Sequence, residues 1–474
     1  MGSEWQTFPL EECMDAIIDY RGKTPKKTSA GVPLVTAKIV KNGSIQPVQE
    51  FIAEDDYVKW MRRGIPQAGD VLLTTEAPLG QVAQLDNCKV ALAQRLITLR
   101  GKSGFLDNTF LKFLMQSDLI QNQLRARSTG TTVIGIKQKE LRKIILLIPP
   151  FPEQQVIAHI LGSLDDKIEL NRKINKTLEA MARTIFKSWF IDFDPVIDNA
   201  LRAGNPIPDS MAERAEMRRQ ILDQNQPSSS SSQRAKDRDC QGGFDFSGLS
   251  EISIDEIYGL FPDSFQDSEL GAIPKGWEIG AIGNIGNQSR NGVEPEDIKS
   301  SEYYIALEHM PKRSISLWNW ENSENITSRK FRFRKGNILF GKLRPYFHKV
   351  GIPAIDGVCS TDVAVIVPKE KQYYGLLLGH LSSDVFVAYT NAASTGTKMP
   401  RTNWKDMSHY PIAIPDHKIS NLFTKYMEDI VQKLNSNIFE SNTLASLRNT
   451  LLPKLISGEL CIPYADKFLK EAGV

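Results

Sequence analysis

Residues 152–190 read PEQQVIAHILGSLDDKIELNRKINKTLEAMARTIFKSWF. Apolar side chains at Ile157, Leu161, Leu164, Ile168, Leu178 and Ile185 recur in steps of three and four across most of this length. That is the seam of a long coiled-coil helix, not the alternation of a strand. Pro152 suits the first helical position, and Glu153 complements the positive end of the helix dipole. At 1.5 Å per residue the helix would be roughly 57 Å long. A single stripe of that length cannot bury itself and needs a partner helix.

The partner lies further along the same chain. Residues 416–455 repeat the pattern with Phe423, Met427, Ile430, Leu434, Leu444, Leu447 and Leu451. Superimposing the two stretches sets Leu178 on Leu444, Met181 on Leu447 and Ile185 on Leu451, and it sets the polar break at Asn171 on Asn437. A buried Asn at one seam position fixes register at some expense in stability. The alternative is that both Asn side chains face solvent.

The duplication extends beyond the helices. Residues 1–150 open with Trp5 and a helical stretch at 9–20, and a Gly/Pro-broken basic loop follows at 21–27. Strand-like runs follow at 32–40 and 69–74, a helix at 106–124, a polar turn at 128–132, and a buried strand at 144–148 closed by Pro149 and Pro150. Residues 276–415 run through the same order. Trp277 answers Trp5, 336–340 answers 69 onward, 373–388 answers the helix, 394–397 answers 128–131, and 412–415 answers the strand before Pro149. The last two matches and the helix match share a spacing of 266 residues. The expected order is a globular unit at 1–150, a long helix at 151–195, a connector at 196–275, a second globular unit at 276–415, and a second long helix with a tail at 416–474. The connector holds an amphipathic helix at 211–222 and a serine run at 228–232, and is expected to be partly flexible.

Composition sets the remaining bounds. At ~100–200 residues per domain, 474 residues give two to four domains. A content of 41% hydrophobic and 24% charged residues is that of a globular chain with real cores. A net charge of +2 does not by itself argue for nucleic acid, so any electrostatic footprint must come from local clusters. Five dispersed cysteines form neither a zinc set nor a disulfide scaffold, which points to a reducing, cytoplasmic setting. No apolar run is long enough to span a bilayer, and no membrane partner is expected.

Catalytic signatures are incomplete. Residues 130–137 have the flavour of a phosphate loop, but Ile136 stands where a Lys should follow Gly135. Ile148-Pro149-Pro150-Phe151 approaches an amino-methyltransferase signature but lacks its polar first residue. Asp263, Asp267 and Glu269 form a carboxylate set without the Lys of a nuclease, and six dispersed histidines make no metal pair. No metal site and no catalytic residue are expected.

Basic clusters are the stronger signal. In the first unit the candidate DNA contacts are Lys23, Lys26 and Lys27, then Lys38 and Lys41, then Arg62 and Arg63, and finally Arg125, Arg127, Thr129 and Thr131. In the second they are Arg290 and Asn291, Lys312 and Arg313, Arg332 and Arg334, Lys342 and Arg344, and Thr395, Thr397, Lys398 and Arg401. Lys and Arg in loops beside Gly, Ser and Thr suit phosphates, and Arg and Asn can read guanine and adenine edges. A charge run is more often only a solvated face. Clusters at matching places in two units favour DNA.

The stretches 164–171 (LDDKIELN), 174–179 (INKTLE), 69–72 (GDVL), 273–277 (IPKGW) and 451–460 (LLPKLISGEL) carry a family resemblance. The chain resembles the specificity (S) subunit of type I restriction-modification systems over essentially its whole length. One departure lies in the second helix, where Lys433-Leu434-Asn435 stands in place of the Asp-Lys-Ile core of the first. The resemblance implies an α+β fold: two similar target recognition domains separated by two long antiparallel coiled-coil helices, an internal duplication with a pseudo-twofold. It implies that each domain reads one half of a bipartite asymmetric site in double-stranded DNA, and that the helices set the spacing and dock methylation subunits. The chain itself would be non-catalytic. S-adenosylmethionine, ATP and Mg would sit on partners, two methylation (M) and two restriction (R) subunits. Two rivals remain: a fused methyltransferase–nuclease fragment, which lacks its motifs here, and a coiled-coil scaffold, which leaves the basic units unexplained.

Overall fold

The structure is a computed structural model and describes residues 5–20, 24–41, 43–86, 89–224, 254–394, 396 and 399–460. Lys23, Thr395, Thr397, Lys398 and the serine run at 228–232 lie outside the described residues. Two compact units are present, residues 1–169 with 441–474, and residues 170–440. No helix among the described residues is long and apolar enough to cross a membrane.

In the first unit, strand Gln6–Pro9 pairs antiparallel with Ile145–Ile148, so the module begins and ends side by side just before the helix Phe151–Phe190. Its main sheet runs in the order Met14–Asp19, Leu96–Gly101, Val71–Thr75, Leu79–Gln84, all antiparallel. Successive side chains of Val71–Thr75 alternate faces. Val71 and Leu73 pack with Leu99, Phe110 and Phe113, whereas Leu72 joins Val32, Leu34 and Ile52, so both faces of the sheet are buried.

Two helical expectations for this module need correction. Residues 9–20 form only one helical turn, Leu10–Cys13, and then the strand Met14–Asp19. Ala16, Ile18 and Tyr20 pack on one core and Ile17 between them on the other, a period of two, and the ladder to Leu96–Gly101 decides for the strand. Residues 106–124 form two helices, Asn108–Gln116 and Asp118–Ala126. The Asp107 carboxylate caps the first by accepting from the Phe110 N–H at 2.8 Å. Ser117 ends it, with extended backbone and its hydroxyl donating to the Leu114 carbonyl.

In the second unit, strand Glu278–Ala281 pairs with Pro411–Ile414, again closing the module on itself. One five-stranded sheet runs Gly286–Ser289, Val363–Pro368, Ile338–Gly341, Val350–Pro353, Ser316–Leu317. A second sheet of five holds Gly292–Val293, Lys330–Phe333, Gly357–Cys359, Tyr303–Ile305 and Glu321–Asn322. The helix expected at 373–388 is also two, Tyr374–Leu381 and Asp384–Ala392. Ser383 caps the second through the Phe386 N–H at 3.2 Å.

Helix Tyr374–Leu381 comes close to both long helices. The Gly375 N–H donates to Thr424 Oγ1 at 2.9 Å, and a Cβ added at Gly379 would lie 2.1 Å from the Phe186 ring. Any larger residue there would overpack the core. His380 beside it is fully buried, its ring 4.9 Å from Phe186 and 6.3 Å from Tyr410. Neither ring nitrogen has a hydrogen-bond partner among the described residues, and burial pushes the imidazole down to about 3. A base whose folded pKa is depressed stabilises the fold fully above its unfolded pKa, about 6.5, and loses that contribution as pH falls toward 3. The unfolded chain then takes up a proton that the folded chain excludes. Denaturant melts should therefore show about 2 kcal/mol less stability at pH 5 than at pH 7.5 from this group. His380→Leu should remove that part of the slope, and an unchanged slope would mean that His380 does not titrate as argued.

The long helices are Phe151–Phe190 and His417–Ile456. In the second unit they run antiparallel. Asn437 Nδ2 donates to Asn175 Oδ1 at 2.8 Å, Asn175 Nδ2 to the Leu434 carbonyl at 3.3 Å, and Asn171 Nδ2 to Glu440 Oε2 at 2.9 Å. Asn171 and Asn437 are buried, at 1% and 2% exposure, so these asparagines do not face solvent. In the first unit Asp165 takes Arg448 and Lys112, both at 2.6 Å.

The stripe has a second use. Ile157 and Leu161 are buried in the core of the first module, with Leu451 packed against it. Leu178, Phe423, Met427, Ile430 and Leu434 are buried in the core of the second, joined by Ile185. Ile168 is buried, and Leu164 and Leu444 are half-buried. Much of the stripe therefore faces the modules as well as the other helix. Glu179 fastens the second module: it is buried and accepts from the Ser314 hydroxyl, the Ser316 N–H and the Ser316 hydroxyl at 2.8, 3.0 and 2.6 Å.

The first part of the connector is a helical hairpin, Asp194–Ala203 and Ala212–Gln224. Two guanidinium–carboxylate forks clamp it, Arg214 on Asp194 and Arg218 on Asp198. Burial alone would raise the Asp194 carboxyl, but hydrogen bonds from Arg214 and Ser188 outweigh it and hold the group below its usual range.

Candidate nucleic-acid interface

Three segments meet at the same place in both modules. In the first, strand Val71–Thr75 runs out into Glu76 and then Ala77, which has a left-handed backbone (φ 46°) ahead of Pro78. The neighbouring strand Leu96–Gly101 is entered through Arg95, also left-handed (φ 74°), and Arg95 Nε pairs with Glu76 Oε1 at 2.9 Å. The third segment is the loop 129–135. Thr129 and Gly135 close it by exchanging backbone hydrogen bonds of 2.8 and 3.0 Å, Gly135 bridges to Glu76, and the Ile136 N–H donates to the Thr75 carbonyl. Gly130 turns the loop at φ 119°, where an added Cβ would lie 2.1 Å from the Val133 carbonyl oxygen, so only glycine fits.

The second module repeats this junction with other side chains. Strand Ile338–Gly341 runs into Lys342, Leu343 and Arg344, the last at φ 51° ahead of Pro345. Strand Val363–Pro368 is entered through Asp362, which pairs with Arg401 Nη2 at 2.7 Å. Leu343 bridges to Arg401, and the Thr402 N–H donates to the Lys342 carbonyl. Gly396, at φ 98°, faces the Met399 carbonyl as Gly130 faces that of Val133. Thus Ala77 answers Arg344, Gly130 answers Gly396 and Val133 answers Met399, each pair within a residue of the 266-residue spacing.

Charge gathers at the second junction. Burial pushes the Lys342 ammonium below its usual range, Arg401 and Arg290 push the same way, and Asp362 opposes them. Arg290, Lys342 and Arg401 thus share one neighbourhood. Arg344 joins them with a buried Nε that has no hydrogen-bond partner among the described residues. Lys312 lies 4.3 Å over the ring of Phe347, three residues on from Arg344. Two candidates have side-chain work instead, and two others are held only through their backbone. Arg313 pairs with Asp384 at 2.7 Å, and Arg332 pairs with Glu302 and donates to the Asp297 carbonyl. The Asn291 carbonyl accepts from the Arg332 N–H, and Arg334 is exposed at a turn whose N–H donates to Asn337.

In the first module Lys26, Lys38, Lys41 and Arg62 are exposed, with no acidic partner among the described residues. Lys27 pairs with Glu50 at 2.7 Å, Arg127 lies 3.8 Å from Glu140, and Arg125 donates to Asn122 at 3.0 Å. Arg63 donates to the Asp19 carbonyl and lines a shallow groove of about 510 Å³ with Ile17, Lys137 and Lys139. Thr129 and Thr131 are exposed on the loop that ends beside Lys137. Residue-by-residue reading missed Arg95, Lys137 and Lys139. The two-glycine loop 130–135 marked the place, because a chain turning twice within six residues brings its flanks together.

The comparisons with known proteins agree on one family. A family model described as the type I restriction modification DNA specificity domain matches residues 2–180 and again 274–440. The HindI specificity subunit of Haemophilus influenzae is 26% identical over 392 residues, covering 79% of this chain and 82% of that one. The MjaIX specificity subunit of Methanocaldococcus jannaschii is 24% identical over 447 residues, covering 90% and 87%. Among solved structures, an S subunit of a type I restriction-modification system from M. genitalium aligns over 96% of both chains with a TM-score of 0.52 and 14% identity, a likeness of fold.

Proposed function

Because this chain belongs to the family of type I restriction-modification DNA specificity proteins, we propose that its two modules read the two halves of a split, asymmetric site in double-stranded DNA. The chain is the specificity subunit and works with DNA and with methylation and restriction subunits. The observation that supports reading by both modules is the repeated junction, one frame carrying different side chains. Arg95 beside Glu76 in one module, and Arg290, Lys342 and Arg401 around Asp362 in the other, offer different donors on the same backbone. That is what two readers of different sequences require.

Two copies each of the methylation and restriction subunits complete the assembly in this reading. S-adenosylmethionine, ATP and Mg sit on those partners, and the complex works in the cytoplasm. The paired long helices set the distance between half-sites.

Exchanging residues 1–150 for the corresponding module of a relative should change one half of the methylated motif and leave the other half intact. A modified-base map of the genome, with the gene intact, deleted and exchanged, reads this directly. Simultaneous loss of both halves would count against independent readers. At the junction, Arg290→Ala should weaken binding by the assembled complex about equally on all sequences. It should also lower the slope of log affinity against log salt by about one. A changed base preference with an unchanged slope would make Arg290 a base reader instead.

A further inference from the structure

The loop 129–135 ends in an unusual tip. Val133 and Ile134 are adjacent, 50% and 53% exposed, between Thr131 and Thr132 on one side and Gly135 on the other. Folding does not bury them, although the loop is closed at its neck and tied to Glu76. Two adjacent apolar side chains held out on a loop closed at its neck form a small exposed apolar surface. The second module repeats the feature in kind but not in identity, since Met399 stands where Val133 stands and is 55% exposed. Both tips adjoin cations: Lys137 at the first, with Arg63 and Lys139 in the same groove, and Arg401 at the second.

Aliphatic side chains cannot hydrogen-bond to a base. Beside a DNA groove they can meet the 5-methyl group of thymine, the one apolar group on a major-groove edge, or they can wedge between base pairs. The tip is small and held close to its own neck. Val133 and Ile134 are branched and short, a shape for contact rather than for reaching into a stack.

We propose that Val133 and Ile134 in the first module, and Met399 in the second, are specificity determinants that pack on thymine 5-methyl groups in the major groove. This rests on the reading of the two modules as DNA readers. Each half-site then contains at least one thymine recognised through its methyl, and the two modules differ in the contact because Met is longer and more flexible than the Val–Ile pair.

The test uses the full chain assembled with its methylation subunits and duplexes of the mapped motif. Thymines are replaced by deoxyuridine, one half-site at a time, which deletes only the methyl. Burying one methyl is worth a factor of about four, so the wild-type complex should lose about fourfold affinity at the thymine concerned. In V133S/I134S the same replacement should change affinity less than twofold in the first half-site and remain fully effective in the second. M399S should show the reverse. The substituted positions are exposed, and an unchanged melting temperature verifies the fold. A half-site without thymine, or uracil tolerated by the wild-type complex, overturns the proposal. So does an equal uracil effect in wild type and variant. Increased fluorescence of a 2-aminopurine placed in the half-site, with no uracil effect, would make the tips wedges and also overturn it. If instead the wild-type complex does not separate its motif from a scrambled duplex, the reading of the modules as DNA readers is what fails.

Discussion

Arg218→Ala should cost about 3–5 kcal/mol of stability, read as a shift in the urea midpoint at neutral pH. Asp198 is 1% exposed, and both of its oxygens take guanidinium N–H groups of Arg218. Removing the guanidinium leaves the carboxylate buried without its cation, and water cannot replace the lost donors without opening the hairpin. The pair raises the Arg218 guanidinium above its usual range, so no accessible pH loosens the clamp from that side. The double change Asp198→Leu with Arg218→Met should recover most of the loss, because apolar residues of similar volume need no partner. A loss below about 1 kcal/mol in the single variant would mean that solvent already reaches Asp198, since exposed pairs are worth no more than that. The effect should spread, because Val196 and Phe193 of the same segment are buried with Trp277, and Asn199 holds the Tyr258 and Phe261 carbonyls.

The second large effect concerns the helices. Inserting one turn of four residues into Phe151–Phe190 alone should strongly reduce stability. The Asn175–Asn437, Asn171–Glu440 and Asp165–Arg448 contacts share one antiparallel register, and a one-sided insertion cannot satisfy them all. Inserting a turn at facing positions in both helices should restore the fold and lengthen the spacer of the recognised motif. Four residues add about 6 Å, or ~1.8 base pairs at a rise of 3.4 Å, so a gap longer by one or two base pairs is expected. Methylation mapping of cells carrying each variant gives the answer. A paired insertion that alters a half-site while keeping the gap would refute the helices as the spacing element.

Part of this molecule was legible from the chain alone. The apolar steps at Ile157, Leu161, Leu164 and Ile168 announced the long helix, because helical periodicity is a property of neighbours along the chain. The spacing of 266 residues announced two modules of one kind, since a duplicated frame keeps its turns, and Gly130 and Gly396 remain where only glycine fits. Local signals misled where long-range pairing decided. Met14–Asp19 became a strand through its ladder with Leu96–Gly101, and Ser117 and Ser383 cut what looked like single helices.

The candidate interface was legible as a region but not as a set of side chains. Arg290 and Lys342 share a neighbourhood with Arg401, which Asp362 holds, while Arg332 and Arg313 are taken up by Glu302 and Asp384, in the latter case 71 residues away along the chain. Whether a cation is free for DNA depends on which carboxylate the fold brings beside it, and no local pattern encodes that distance. The same holds for Asn171 and Asn437, whose burial required the partner helix to be in place. By itself, then, the sequence determined the duplicated plan and its helices, which follow from periodicity and repeat. The tertiary structure decided which charges stay free, which polar groups are buried and which apolar tips stand out, because those depend on contacts between residues far apart in the chain.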